Sequence, residues 1–248
     1  MKFVCWCLAF SVLLVAPAWS AEDAPSVKDQ IAAIQKEYQD AMEAFGKAYQ
    51  KAGSDEERQK LFETSYPKPE SYAPRLMNVV MENEDDPAVV DALSWIVQNV
   101  RQGREKKVAT KMLIEDHIES DALGRVAASM IYSQDRDAEA HLRKIHEQSP
   151  HRNVKGMACY SLAEYMSQHQ RVDEATKLYE TVVASYSDVP GVYGGTLGKS
   201  AEGALFEMRN LSVGKPAPNI EGEDVDGVAF NLSDYRGKVV FLDFWGDW

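Results

Sequence analysis

Thiol chemistry needs a cysteine that can ionise and a second one within reach, and the chain holds three cysteines, Cys5, Cys7 and Cys159. Cys5 and Cys7 lie inside the apolar run from Phe3 to Val15, so their Cys-x-Cys spacing belongs to a leader and not to a redox pair. Cys159 stands one turn before Leu162 on an apolar helical face, with no Cys-x-x-Cys partner, which is the setting of a buried and inert thiol. His141, His146 and His151 recur every five residues, whereas two metal-binding imidazoles on one helix face sit four apart; they are read as surface residues. Glu82, Glu84, Asp85 and Asp86 crowd together without the glycine and closing glutamate of a calcium loop, and read as a solvated helix start. Asn210-Leu211-Ser212 and Asn231-Leu232-Ser233 have the form of glycosylation acceptors. Asp243 differs from all of these, as the single acid in the otherwise apolar run Val239–Phe244.

The N-terminus has the pattern of a secretory signal over residues 1–20. Lys2 supplies the positive charge, Phe3 to Val15 the apolar core, and Ala18-Trp19-Ser20 the small residues that a signal peptidase reads. The run falls short of the ~20 residues a membrane span needs, and Pro17 closes it. Cleavage removes Lys2, Cys5 and Cys7. The remaining chain keeps one thiol and can form no internal disulfide, and its formal charge moves from −12 to about −13. Such an acidic surface argues against nucleic acid and anionic lipid as partners. The expected setting is periplasmic or extracellular, with no membrane span after cleavage.

What must position any chemistry is mostly helix. Ile31, Ile34, Tyr38, Ala41, Phe45 and Ala48 follow steps of three and four, predicting a long amphipathic helix that ends at Gly53-Ser54. A second helix starts near Asp55 and carries Leu61 and Phe62. Pro67, Pro69 and Pro74 punctuate the chain, and Asp86-Pro87 signals a helix start with Val90, Leu93, Ile96 and Val97 on its face. Later faces hold Leu113 with Ile114, Val126 with Met130 and Ile131, and Leu142 with Ile145. Met157 to Ser187 reads as a helix pair, with Leu162 and Ala163 on the first helix, Arg171-Val172-Asp173-Glu174 at the turn, and Ala175 and Tyr179 on the second. This unit resembles a tetratricopeptide repeat, although Cys159, Met166 and Ser187 replace the usual aromatic, Tyr and Pro. A last helix carries Leu197, Ala201, Leu205 and Met208.

After Leu211 the period changes. Asp226-Gly227 is a hairpin signal between Asn219–Gly222 and Val228–Leu232. Leu232-Ser233-Asp234-Tyr235 predicts a short helical turn. Val239–Phe244 reads as a strand covered on both faces.

The order Gly214-Lys215-Pro216-Ala217-Pro218, hairpin, Leu232-Ser233-Asp234-Tyr235-Arg236-Gly237-Lys238, apolar strand, then Asp243-Phe244-Trp245-Gly246-Asp247-Trp248 resembles the opening of a TlpA/ResA-type thioredoxin-like domain. These redoxins, related to the AhpC/TSA group, are exported thiol–disulfide oxidoreductases. The resemblance covers about residues 211–248 and implies a Cys-x-x-Cys immediately after Trp248. It gives Asp243 the place of a buried carboxylate beneath the disulfide, where desolvation raises its pKa and lets it move a proton to or from the resolving thiol. Trp248 would then pack beside the first cysteine and Trp245 would buttress it. Peroxiredoxins share the opening, but Trp245-Gly246-Asp247-Trp248 favours the Cys-x-x-Cys branch.

The fold expected is mainly α: an all-helical, tetratricopeptide-like domain over residues 22–210, followed by an incomplete α/β thioredoxin-like segment over residues 211–248. The function expected is the N-terminal part of an exported thiol–disulfide oxidoreductase acting on protein disulfides or thiols, its redox cysteines lying beyond Trp248 and the 248 residues inactive on their own. An incomplete gene product, broken at a contig edge or by a premature stop, is the expected origin of that ending. The helical domain would hold a protein partner, and no cofactor or metal is expected. The competing readings are a helical-repeat adaptor with a vestigial redoxin tail and a fragment of a peroxiredoxin-like antioxidant protein.

Overall fold

The computed structural model describes residues 25–133, 135–191, 194–243 and 246. The leader at residues 1–20, together with Phe244, Trp245 and Trp248, lies outside the described residues.

Among the described residues ten α-helices follow one another: α1 (Val27–Lys51), α2 (Asp55–Ser65), α3 (Ala73–Glu82), α4 (Val89–Asn99), α5 (Arg104–Asp116), α6 (Leu123–Ser129), α7 (Ala138–Gln148), α8 (Arg152–Gln168), α9 (Val172–Ser185) and α10 (Leu197–Asn210). A two-stranded antiparallel hairpin, β1 (Glu221–Glu223) and β2 (Ala229–Asn231), comes after them, so the protein is mostly helical. Among the described residues no helix is long and apolar enough to cross a membrane.

Local chemistry accounts for several helix ends. The Ser26 hydroxyl caps α1 by accepting the Asp29 N–H at 3.1 Å. Ser54 and Glu57 form a variant of the capping box at α2. The Ser54 hydroxyl accepts the Glu57 N–H at 3.2 Å, and the Glu57 carboxylate accepts the Gly53 N–H at 2.8 Å. Asp86 accepts the Ala88 N–H at 2.8 Å, which makes a turn of Asp86–Ala88 and delays α4 to Val89, two residues past Pro87. The reversal between α8 and α9 lies at His169–Arg171, earlier than the sequence pattern suggests. Gln170 is left-handed at φ 60°, the Arg171 N–H reaches the Met166 carbonyl at 2.9 Å, and the Gln170 N–H reaches Ser167 at 3.0 Å. That is a Schellman motif with glutamine in the position glycine usually takes.

Packing is chiefly between helices close in sequence: α3 on α4, α4 on α5, α7 on α8, α8 on α9 and α9 on α10, with α6 also set against α8. Their apolar faces merge into one contiguous core that includes Leu76, Leu93, Leu113, Leu142, Leu162 and Tyr179. Ile31 and Ile34 bury the start of α1. Tyr38 then meets Trp95 edge to face at 5.2 Å and Tyr72 at 5.4 Å. In the far half of α1, Phe45 meets Tyr66 edge to face at 5.3 Å and Phe62 of α2 at 6.3 Å; α2 has no buried residue and Phe62 stays 55% exposed.

The link from α9 to α10 depends on a missing side chain. The Leu197 N–H bonds to Val189 at 2.8 Å and the Gly198 N–H to Ser187 at 3.1 Å. A β-carbon at Gly198 would lie 2.7 Å from the Ser187 α-carbon, so only glycine lets the backbones approach this closely.

Candidate functional site

The segment that carries the sequence-predicted chemistry begins with the hairpin. Gly222 pairs with Phe230 across β1 and β2, and the Asp224 carboxylate accepts the N–H groups of Asp226 and Val228, both at 2.9 Å. Gly227 completes the turn at φ 77°, a left-handed conformation that glycine adopts without a steric penalty. The Asp226-Gly227 signal therefore marks a real turn, though it spans Asp224–Val228 and is wider than a two-residue loop. Asn219 fastens the base: its amide oxygen accepts the Ser233 N–H at 2.9 Å, and its amide nitrogen donates to Asn231 at 3.2 Å. Leu232–Tyr235 then forms the short helical turn the sequence predicts, as a 3-10 helix.

The apolar run beyond it is not the strand that its composition suggests. Val239 to Asp243 has no regular secondary structure, and Val239 and Phe241 are 103% and 90% exposed. A strand is held by ladder bonds and by neighbours on its faces. Among the described residues no strand pairs with this run, so high β-propensity alone does not make it one. Asp243 is consequently an exposed carboxylate. The structure brings it together with no other candidate residue, and Trp245 and Trp248, its expected companions, lie outside the described residues.

Cys159 sits where its spacing places it, fully buried in α8, with its sulfur 3.7 Å from the Leu178 carbonyl of α9. Burial pushes the thiol up to about 11. At neutral pH roughly one molecule in ten thousand would carry the thiolate, the species that attacks disulfides. Its burial and its raised pKa both fit the inert thiol that the sequence predicts.

Two clusters were not evident from the sequence as contacts. Arg171, at the start of α9, donates to Glu174 at 2.7 Å and also to Glu139 of α7, and Arg143 donates to Glu139 at 2.8 Å. The Arg171 guanidinium, acting mainly through these hydrogen bonds, holds the Glu139 and Glu174 carboxyls below the usual range and is itself raised. The pairs spaced three and four apart are legible in the sequence, but the bridge between helices is not. His146 is half-buried rather than on the surface: its Nδ1 lies 3.0 Å from the Lys155 carbonyl of α8, across the α7–α8 contact. His151 is exposed, with Nε2 2.7 Å from the Glu119 carbonyl. Among the described residues no group of three or more His, Cys, Asp or Glu side chains is arranged to hold a metal ion.

Comparison with known proteins places part of the chain beside the thioredoxin-like thiol–disulfide oxidoreductases. It is similar to the thiol–disulfide oxidoreductase ResA of Bacillus subtilis (strain 168), 45% identical over 53 residues, which is 21% of this chain and 30% of that protein. ResA of Geobacillus kaustophilus (strain HTA426) is 50% identical over 42 residues, 17% of this chain and 24% of its own length. ResA of Bacillus thuringiensis subsp. konkukian (strain 97-27) is 40% identical over 47 residues, or 19% and 27%. The chain thus spans under a third of the length of these curated relatives. No family model matches the chain, and no solved structure matches it.

Proposed function

We propose that this chain is the N-terminal part of an exported thioredoxin-like thiol–disulfide oxidoreductase. The observation that carries the reading is the 40–50% identity, over 42–53 residues, to proteins named thiol–disulfide oxidoreductase. The hairpin and 3-10 turn over residues 219–235 add support, since they occur in the order the resemblance requires. The same relatives favour the Cys-x-x-Cys branch over a peroxiredoxin.

In this reading the chemistry belongs to a Cys-x-x-Cys following Trp248. A thiolate of that pair attacks one sulfur of a substrate disulfide and releases the other as a thiol. The second cysteine then attacks the mixed disulfide, so the enzyme pair is oxidised as the substrate is reduced. Asp243, once covered by the rest of the domain, would exchange a proton with the resolving thiol, with Trp245 and Trp248 packed around the pair. The tetratricopeptide-like helices over residues 22–210 would hold a protein partner, and the leader would deliver the protein outside the cytoplasm.

The test is insulin disulfide reduction by the product of the complete reading frame. Activity that survives Cys159→Ala and is lost when cysteines after Trp248 are replaced supports the proposal. Absence of activity, or its loss in Cys159→Ala alone, contradicts it. A helical adaptor is the second reading, favoured by one observation: the buried core lies in the helices, while the side chains of Val239–Asp243 are exposed.

A further inference from the structure

Glu164 stands apart from the other acids that the fold half-buries. Asp86 and Asp135 accept backbone N–H groups, from Ala88 at 2.8 Å and from Asp137 at 3.3 Å. Glu105 lies in the first turn of α5, where the helix dipole favours an anion. Glu139 and Glu174 hold Arg171. Glu164 is far from the N-terminus of α8, and among the described residues it forms no ion pair. Its Oε1 accepts the Tyr179 hydroxyl of α9 at 2.8 Å, while its Oε2 accepts no hydrogen bond among the described residues.

The surroundings suit a cation. Tyr160 precedes Glu164 by one turn on the same face of α8, and its ring meets Tyr179 at 6.0 Å. Ser200 of α10 and the 73% exposed Tyr132 stand near Tyr160, and Glu207, seven residues past Ser200 on α10, stands near Tyr179. Burial, and after it the Glu164 charge, push both phenols up, so Tyr160 and Tyr179 stay protonated. Among the described residues, the charged side chains that bear on these phenols are Glu164 and Glu207, with no lysine or arginine. An ammonium or guanidinium group arriving from solvent can pair with Oε2 and lie against a tyrosine ring. Two carboxylates fall short of the ligand set of a bare metal ion. We propose that Glu164 receives a lysine or arginine side chain of a partner protein docked across α8 and α10. The proposal rests on the partner-holding role given to the helices and involves no thiol, so it can fail or hold independently of the redox assignment.

The experiment is fluorescence anisotropy on the 248-residue protein with a fluorescein-labelled (Lys-Gly)4 peptide. Its fully Nε-acetylated form and (Glu-Gly)4 are the controls. The lysine peptide should bind, and neither control should. Glu164→Gln, which keeps an oxygen for the Tyr179 hydroxyl, should weaken binding roughly tenfold. Glu207→Gln, at an exposed position, should weaken it roughly threefold. Glu56→Gln removes the same charge from an exposed position on α2 and should leave binding unchanged. Circular dichroism should report one fold for all three. If Glu164→Gln alters the fold, Glu207→Gln against Glu56→Gln decides. No binding of the lysine peptide, binding that survives both Glu164→Gln and Glu207→Gln, or equal losses with Glu56→Gln would overturn the proposal. So would displacement by n-butylamine at concentrations below those of unlabelled (Lys-Gly)4, the mark of a small-amine site.

Discussion

The Cys159 sulfur lies 3.7 Å from the carbonyl oxygen of Leu178, joining α8 to α9 at the centre of the helical core. A thiol in this position works as a small apolar side chain with a weak hydrogen bond. Native protein without residues 1–20, in which Cys159 is the one cysteine, should therefore react with a thiol reagent such as DTNB at least a hundredfold more slowly than a free cysteine, because burial pushes the thiol up to about 11 and blocks access. Labelling should become complete on unfolding in guanidinium. Fast labelling of native protein would place Cys159 at the surface and reopen its redox role.

Gly198 gives a sharper stability test. The Ser187 backbone cannot yield as the tip of a long side chain could, so Gly198→Ala should destabilise the α9–α10 junction by about 1–3 kcal/mol. Chemical denaturation should show a lower midpoint. Gly203→Ala, where an added β-carbon meets nothing within 4 Å, should be neutral or slightly stabilising. Equal effects at both glycines would mean that helix propensity, and not the close approach, decides the outcome.

The ion cluster between α7 and α9 predicts an acid-sensitive contact. Hydrogen bonds from Arg171 lower the Glu139 and Glu174 carboxyls in the folded state. A depressed carboxyl stabilises the fold above its unfolded pKa and loses that contribution as pH falls through the folded value. Thermal stability should therefore decline below about pH 4.3, and Arg171→Gln should flatten that decline while lowering stability at neutral pH. The effect should be modest, because these side chains are partly exposed to solvent. Parallel melting curves for the two proteins across this range would remove the cluster from the account.

Val239 and Phe241 are almost wholly exposed, so Val239→Ser with Phe241→Ser should change the unfolding midpoint of the helices by no more than ~0.5 kcal/mol equivalent. The same change should reduce binding of a hydrophobic dye. A clear loss of helical stability would show that the run packs against the core.

How far the sequence reveals this protein depends on the range of the interaction. Faces such as Leu93, Ile96 and Val97 are legible because a helix buries residues three and four apart whatever its neighbour, and all three are buried. The Asp226-Gly227 turn and the 3-10 helix at Leu232–Tyr235 are legible for the same local reason. The reversal at Gln170 is not, because glycine is the usual signal for a left-handed residue and glutamine gives none. Nor is the bridge between α7 and α9, since Glu139 and Arg171 meet only through the fold. Val239–Asp243 fails in the opposite direction: its composition is that of a strand, but a strand depends on partners that composition cannot provide. The candidate site is thus legible as a motif, while its geometry depends on those partners.

The central claim is that thiol–disulfide chemistry belongs to a motif directly after Trp248 and not to the helices. The most direct measurement is the coding sequence that follows the Trp248 codon. The account predicts Cys-x-x-Cys in the next four residues, continuing into the rest of a thioredoxin-like domain. A verified stop codon there, with stable 248-residue protein in cells, would contradict it and leave the helical adaptor as the working description.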